Sequence, residues 1–88
     1  MNQIKEQSLL ARMINDNPDS QFLIAYGFDE AVIGYDYQTE RLIYSYNKCL
    51  DILMQDETMS YEDAVEWMGY NVMDSYVGDK TPIWCINN

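Results

Sequence analysis

Catalysis and metal binding need particular side chains at particular spacings, and in this 88-residue chain several of them are missing. Histidine is absent. With it go the commonest general base, the commonest metal ligand and every Ser-His or Cys-His nucleophilic pair. Asp56-Glu57 and Glu62-Asp63 are carboxylate pairs that could do acid-base work. Both fall at expected helix ends in polar surroundings, where solvated carboxylates are the expectation. Cys49 and Cys85 form no disulfide framework and have no zinc-site spacing, so they read as reduced thiols filling apolar space. Asn15, Asn17 and Asp19 alternate as in a calcium loop, but the positions that need Gly and Glu hold Ser20 and Tyr26. A capped turn explains them better. The four glycines stand singly, which leaves no phosphate-cradling motif. The expectation is no enzyme, no catalytic residue, no metal and no cofactor.

What the chain has in excess is acid. Fifteen Asp and Glu oppose five Lys and Arg, for a formal net charge of −10. Such a field opposes nucleic acid and anionic membrane and favours basic partners, including proteins that themselves hold nucleic acid. The 31 residues between Lys48 and Lys80 contain no basic side chain and eight acids. Within them Asp63, Glu66, Tyr70 and Asp74 follow i, i+3, i+7, i+11 spacing and share one face of an expected helix. Glu62 flanks that row, and Asp56-Glu57 lie just before the helix. A helix that only had to be soluble would relieve this repulsion with Lys or Arg one turn away. Carboxylates recurring at about 5 to 6 Å are instead comparable to the phosphates of a nucleic-acid strand. The candidate partner-binding face is therefore Asp56, Glu57, Glu62, Asp63, Glu66, Tyr70 and Asp74, with Tyr61 or Trp67 adding contact area. The competing reading is a merely solvated acidic face.

These residues need a scaffold. The length fits one domain, 1–88, with a helical N-terminal segment (1–28) and an α+β core (29–88). No stretch approaches the ~20 apolar residues of a membrane span, and no signal-peptide core is present, so a cytoplasmic protein is expected. Ile4, Leu9, Leu10, Met13 and Ile14 suggest a helix over residues 3–14, ended by the turn cluster 15–20. Asn17 and Pro18 are placed to start a second short helix that buries Phe22, Leu23 and Tyr26 and stops at Gly27. Residues 31–46 alternate as a hairpin with a loop of four to five residues at Tyr37–Glu40. Ser45 or Asn47 starts a helix running to about Gln55, with Cys49, Leu50, Leu53 and Met54 on one face.

Ser60 and Asp63 resemble a capping box that opens a longer helix. Its stripe of Tyr61, Ala64, Val65, Met68, Val72 and Tyr76 predicts four turns, with Gly69 inside and Gly78 as the stop. Residues 81–86, TPIWCI, read as an edge strand. The simplest packing is an α+β domain with a three-stranded, mainly antiparallel sheet against a helical pair.

From Asp29 onward the chain resembles a family of short phage and bacterial proteins, through EAVIGYD (30–36), RLIYSYNKCLDILM (41–54), MSYEDAVEWMGYNV (59–72) and YVGDKTPIW (76–84). Relatives run as an aliphatic-Gly strand, a tyrosine strand, "EEAVEWIDYN" and a closing "PI" strand; this chain departs at Gly69, where they often carry an acid. The resemblance implies a shared fold and brings no catalytic residues. Its phage side implies a setting in which small acidic proteins disarm host nucleic-acid machinery such as restriction, CRISPR or transcription enzymes. The expected function is an inhibitor or modulator of a nucleic-acid-handling protein that acts by nucleic-acid mimicry. The alternative is a housekeeping interaction module or homodimer that uses the aromatic surface and the edge strand, with no inhibitor role.

Overall fold

The computed structural model describes residues 9–55, 59–73 and 75–86. Helix α1 (Leu9–Asp16) buries Leu10 and Met13; the expected start of this helix at residue 3 lies outside the described residues. Asn17 closes α1 at its C-terminus, because both its backbone N–H (3.1 Å) and its Nδ2 (2.8 Å) donate to the Met13 carbonyl. That overturns the second short helix. An Asn committed to ending one helix cannot also begin the next, and Pro18 directly after it discourages continuation. Residues 20–25 instead run without regular structure. Of the contacts expected there, only Phe22 is partly buried, and Tyr26 is 89% exposed. Gly27 takes φ +91°, a left-handed turn that returns the chain toward the sheet.

A single 3-10 turn (Asp29–Ala31) leads into β1 (Val32–Asp36), which pairs antiparallel with β2 (Arg41–Ser45). The four-residue connection is organised by Asp36. Its carboxylate accepts from the Gln38 N–H (3.3 Å) and the Thr39 hydroxyl (2.6 Å), and its carbonyl accepts from the Glu40 N–H (2.7 Å). A β-bulge between Val32 and Gly34 breaks the simple alternation expected for β1. Cross-strand partners share a face, so Val32 opposite Tyr44 and Tyr35 opposite Leu42 all point to the core side, although Val32 and Tyr35 are three residues apart.

Strand β2 runs directly into α2 (Tyr46–Met54), with Ser45 as the last strand residue and also the N-cap, its Oγ accepting from the Lys48 N–H at 3.2 Å. Helix α3 (Tyr61–Met68) is capped in the same way by Ser60, whose Oγ accepts from the Asp63 N–H at 3.1 Å. Among the described residues only this half of the capping box forms; Asp63 is one methylene shorter than the usual Glu. The four-turn helix is not realised either. The α-helix ends at Met68, and Gly69–Met73 widen into a π-helical turn. The stripe holds as far as Val72, which is buried, and Tyr76 falls in the irregular chain beyond the turn and is 75% exposed. Gly78, at φ +116°, belongs to a loop in which Thr81 N–H and Oγ1 both donate to its carbonyl.

Strand β3 is shorter than expected, Ile83–Cys85, and pairs parallel with β2 in the order β1-β2-β3. The result is an α+β domain with three helices among the described residues and a mixed sheet of one antiparallel and one parallel pair. The parallel pairing follows from the connection, since α2 and α3 carry the chain across before β3 returns. The core joins all three helices to the sheet through Leu10, Met13, Leu42, Tyr44, Cys49, Leu50, Ala64 and Met68.

Candidate functional site

Glu62 and Asp63 occupy the first turn of α3, where negative charge complements the helix dipole and stabilises the helix by about 0.3–1 kcal/mol each. That gives these two acids a structural reason to be where they are. Glu66 lies a turn later and has no such reason. Asp63, Glu66 and Tyr70 converge with Met59, Trp67 and Asn71 on an open hollow of about 470 Å³. Glu62 is exposed on the same helix and does not line that hollow. Asp56, Glu57 and Asp74, the other members of the expected face, lie outside the described residues.

The aromatic side of the hollow is fixed from beneath. Trp67 is half-buried with its ring 6.0 Å from Phe28, and Asn71 Nδ2 donates to the Trp67 carbonyl at 2.9 Å. Tyr70 is 83% exposed and Tyr61 stands out at the start of the helix. Among the described residues the only ion pair is Lys80–Glu40 at 2.9 Å, so the carboxylates of Glu62, Asp63 and Glu66 have no cationic partner there. Two of the basic side chains, Lys80 and Arg41, are engaged elsewhere. Lys80 also donates to the Thr39 carbonyl and Arg41 Nε to the Thr81 carbonyl, tying the hairpin turn to the loop before β3. The hydrogen bond from Lys80, then that from Ser20, holds the Glu40 carboxyl below its ordinary range, and the Thr39 hydroxyl does most to lower that of Asp36.

The two thiols differ in exposure. Cys49 is fully enclosed, and burial pushes its thiol up to about 12, which keeps it protonated at neutral pH. Cys85 is half-buried in β3. Among the described residues no group of three or more Cys, Asp or Glu is placed to hold a metal ion, and no helix is long and apolar enough to cross a membrane.

A second concavity was not expected from the sequence. An apolar groove of about 400 Å³ runs between the irregular segment Leu23–Ala25 and the stretch from Asn71 to Trp84. Its existence depends on residues 20–25 being irregular, where a helix was expected. Tyr44 explains why they lie there: it is wholly buried, its ring packs tilted against Trp84 with centroids 4.8 Å apart, and its hydroxyl oxygen accepts the Ala25 N–H at 2.8 Å. A tyrosine at a core position of a central strand is the signal that could have found it, since a buried hydroxyl needs a partner. No protein-family model, curated protein or solved structure matches this chain.

Proposed function

We propose that this protein acts by binding, through the acidic and aromatic face of α3, a basic surface of a nucleic-acid-handling protein, which it inhibits or modulates by mimicking nucleic acid. One observation carries the reading: Asp63 and Glu66 meet Trp67 and Tyr70 at one hollow, with no cation among the described residues to neutralise them. Carboxylates beside aromatic rings make a receptor for cationic side chains, through Coulomb attraction and cation–π contact. The phage resemblance supports the same direction through its setting alone.

The test is affinity capture of DNA-binding proteins from a bacterial lysate, followed by elution with salt or with competing DNA. Capture at low salt that DNA displaces is expected, and Glu66→Lys should weaken it without lowering the melting temperature, because Glu66 does no work for the helix terminus. The triple reversal Glu62→Lys, Asp63→Lys and Glu66→Lys should abolish it. Capture that survives Glu66→Lys and high salt with undiminished yield removes the proposal.

A second reading has its own observation. The sheet face away from the core pairs Ile43 with Ile83, both half-exposed beside the short edge strand β3, which suits strand addition between two copies. A dimer of that kind would persist at high salt on a sizing column, where an electrostatic complex would not.

A further inference from the structure

The apolar groove adjoins the acidic hollow, and Asn71 lines both. Leu23, Ile24, Val72, Val77 and Trp84 supply apolar walls, and among the described residues that line the groove none is charged. Leu23 and Ile24 line the groove, and among the described residues their backbone N–H and C=O groups, like those of Gln21 and Phe22 just before them, make no hydrogen bond. Burial alternates there, with Phe22 and Ile24 half-buried and Gln21 and Leu23 exposed, which is the period of an extended chain. Open backbone groups on a two-residue period, beside an apolar trough, are what strand addition uses.

From this we propose that the groove receives an extended segment of the partner protein, which pairs with the backbone of residues 21–24, lays alternate apolar side chains over Val72 and Trp84, and places an adjoining Arg or Lys in the hollow between Asp63, Glu66 and the rings of Trp67 and Tyr70. Its basic end rests on the acidic-face reading above, and its apolar part does not. The charge pattern chooses this occupant. A second copy would bring −10 against −10. A small apolar ligand would use neither the open backbone nor the carboxylates. A segment that is apolar along one stretch and basic at its end matches both halves of a concavity that is apolar at one end and acidic at the other.

The two tryptophans of the chain report the halves separately, Trp84 for the groove and Trp67 for the hollow. Short end-blocked peptides of alternating Leu and Thr are titrated while the two indole N–H signals are followed by NMR. One peptide carries a pair of arginines at one end, one has them replaced by serine, and one has alternate backbone amides N-methylated. The arginine peptide should move both signals. The serine peptide should move Trp84 alone and bind roughly tenfold more weakly. N-methylation of the pairing edge should cost roughly tenfold through lost hydrogen bonds. Val77→Glu, at an exposed rim position, should weaken all of them, and Glu66→Lys should erase the difference between arginine and serine.

A Trp84 signal that no peptide moves, or binding indifferent to N-methylation, overturns the groove inference; a Trp67 shift by the arginine peptide alone would still leave the acidic face standing. A Trp84 shift with equal affinity with and without arginine, and a Trp67 signal that neither peptide moves, would sink the acidic-face reading and keep the groove. Silence from both indoles would discard both.

Discussion

Removing one oxygen atom from Tyr44 tests how the irregular segment is held. The Tyr44 ring is fully enclosed against Trp84, and its hydroxyl oxygen takes the Ala25 N–H at 2.8 Å. Tyr44→Phe keeps the ring and deletes that bond. A net intramolecular hydrogen bond contributes about 0.5–1.5 kcal/mol, and a stranded buried donor adds about 1–3 kcal/mol of lost solvation. Ala25 is only half-buried, so water can reach part of that donor. The loss should therefore be about 1–1.5 kcal/mol, which for a domain of this size lowers Tm by roughly 5–10 °C. Thermal melts followed by circular dichroism give the size, and hydrogen exchange at the Ala25 amide gives the place, because that amide should lose its protection first. Alkaline pH adds a sign. Burial, ahead of any other cause, raises the Tyr44 hydroxyl above its ordinary value. Stability should therefore fall as pH climbs past about 10, where the unfolded tyrosine ionises and the folded one resists. The Phe variant should have lost that contribution. A variant that melts within about 1 °C of the parent with Ala25 still protected would refute the claim that this bond anchors the groove wall.

Gly69→Ala should raise Tm by a few degrees: φ there is −60°, nothing stands within 4 Å of where a Cβ would go, and alanine is favoured in helix by about 1 kcal/mol. A lower Tm would show that the π-helical turn depends on glycine. Thiol titration with an aromatic disulfide should modify Cys85 in the native protein and Cys49 only in denaturant, since Cys49 is enclosed and its thiol pushed up to about 12. Prompt native modification of both would contradict that burial. In acid, Asp36 and Glu40 have folded values below their ordinary ones, so their contribution is present at neutral pH and is lost as pH falls through the carboxylate range, below about 4. Glu40→Gln should be less stable at neutral pH and should converge on the parent in acid; an unchanged gap across that range would count against the Lys80 and Ser20 contacts as its cause.

Where local signals acted alone, the sequence was legible. Ser60 caps the helix it was expected to cap, Ser45 is the one of two expected starts that caps α2, the hairpin closes with the expected loop, and a strand forms at residues 83–85. Failures came where two local rules competed for one residue. Asn17 is as good at ending a helix as at starting one, and packing of Met13 and Phe28 into the core settles it for α1. The bulge at Val32/Gly34 is a one-residue insertion that a period-2 reading cannot register, because glycine fits either face. The stripe from Tyr61 to Tyr76 assumed that helix continues to Tyr76, and the π-helical turn ends at Met73 with irregular chain at residues 75–77. Of the acidic row, Asp74 lies outside the described residues. Asp63, Glu66 and Tyr70 all lie at or before the first residues of that turn, so they still meet at one hollow. The groove was invisible because it is made by a segment whose structure is set by a tertiary contact, Tyr44 to Ala25.

A net charge of −10 attracts any basic surface, so charge alone gives encounter without choice. Screening at cellular salt cuts interactions between exposed charges beyond about 8 Å, which leaves discrimination to groups in contact. Here those groups differ in kind along one continuous surface. Asp63 and Glu66 ask for a cation, Trp67 and Tyr70 favour one with a flat face, and guanidinium has that face where ammonium does not. Beyond Asn71 the surface asks for apolar side chains, with open backbone beside it. DNA itself offers a binding protein phosphate and base edges, never an apolar trough. A pure mimic would therefore need only the acidic half, and the groove is the part that would let this protein tell one basic partner from another.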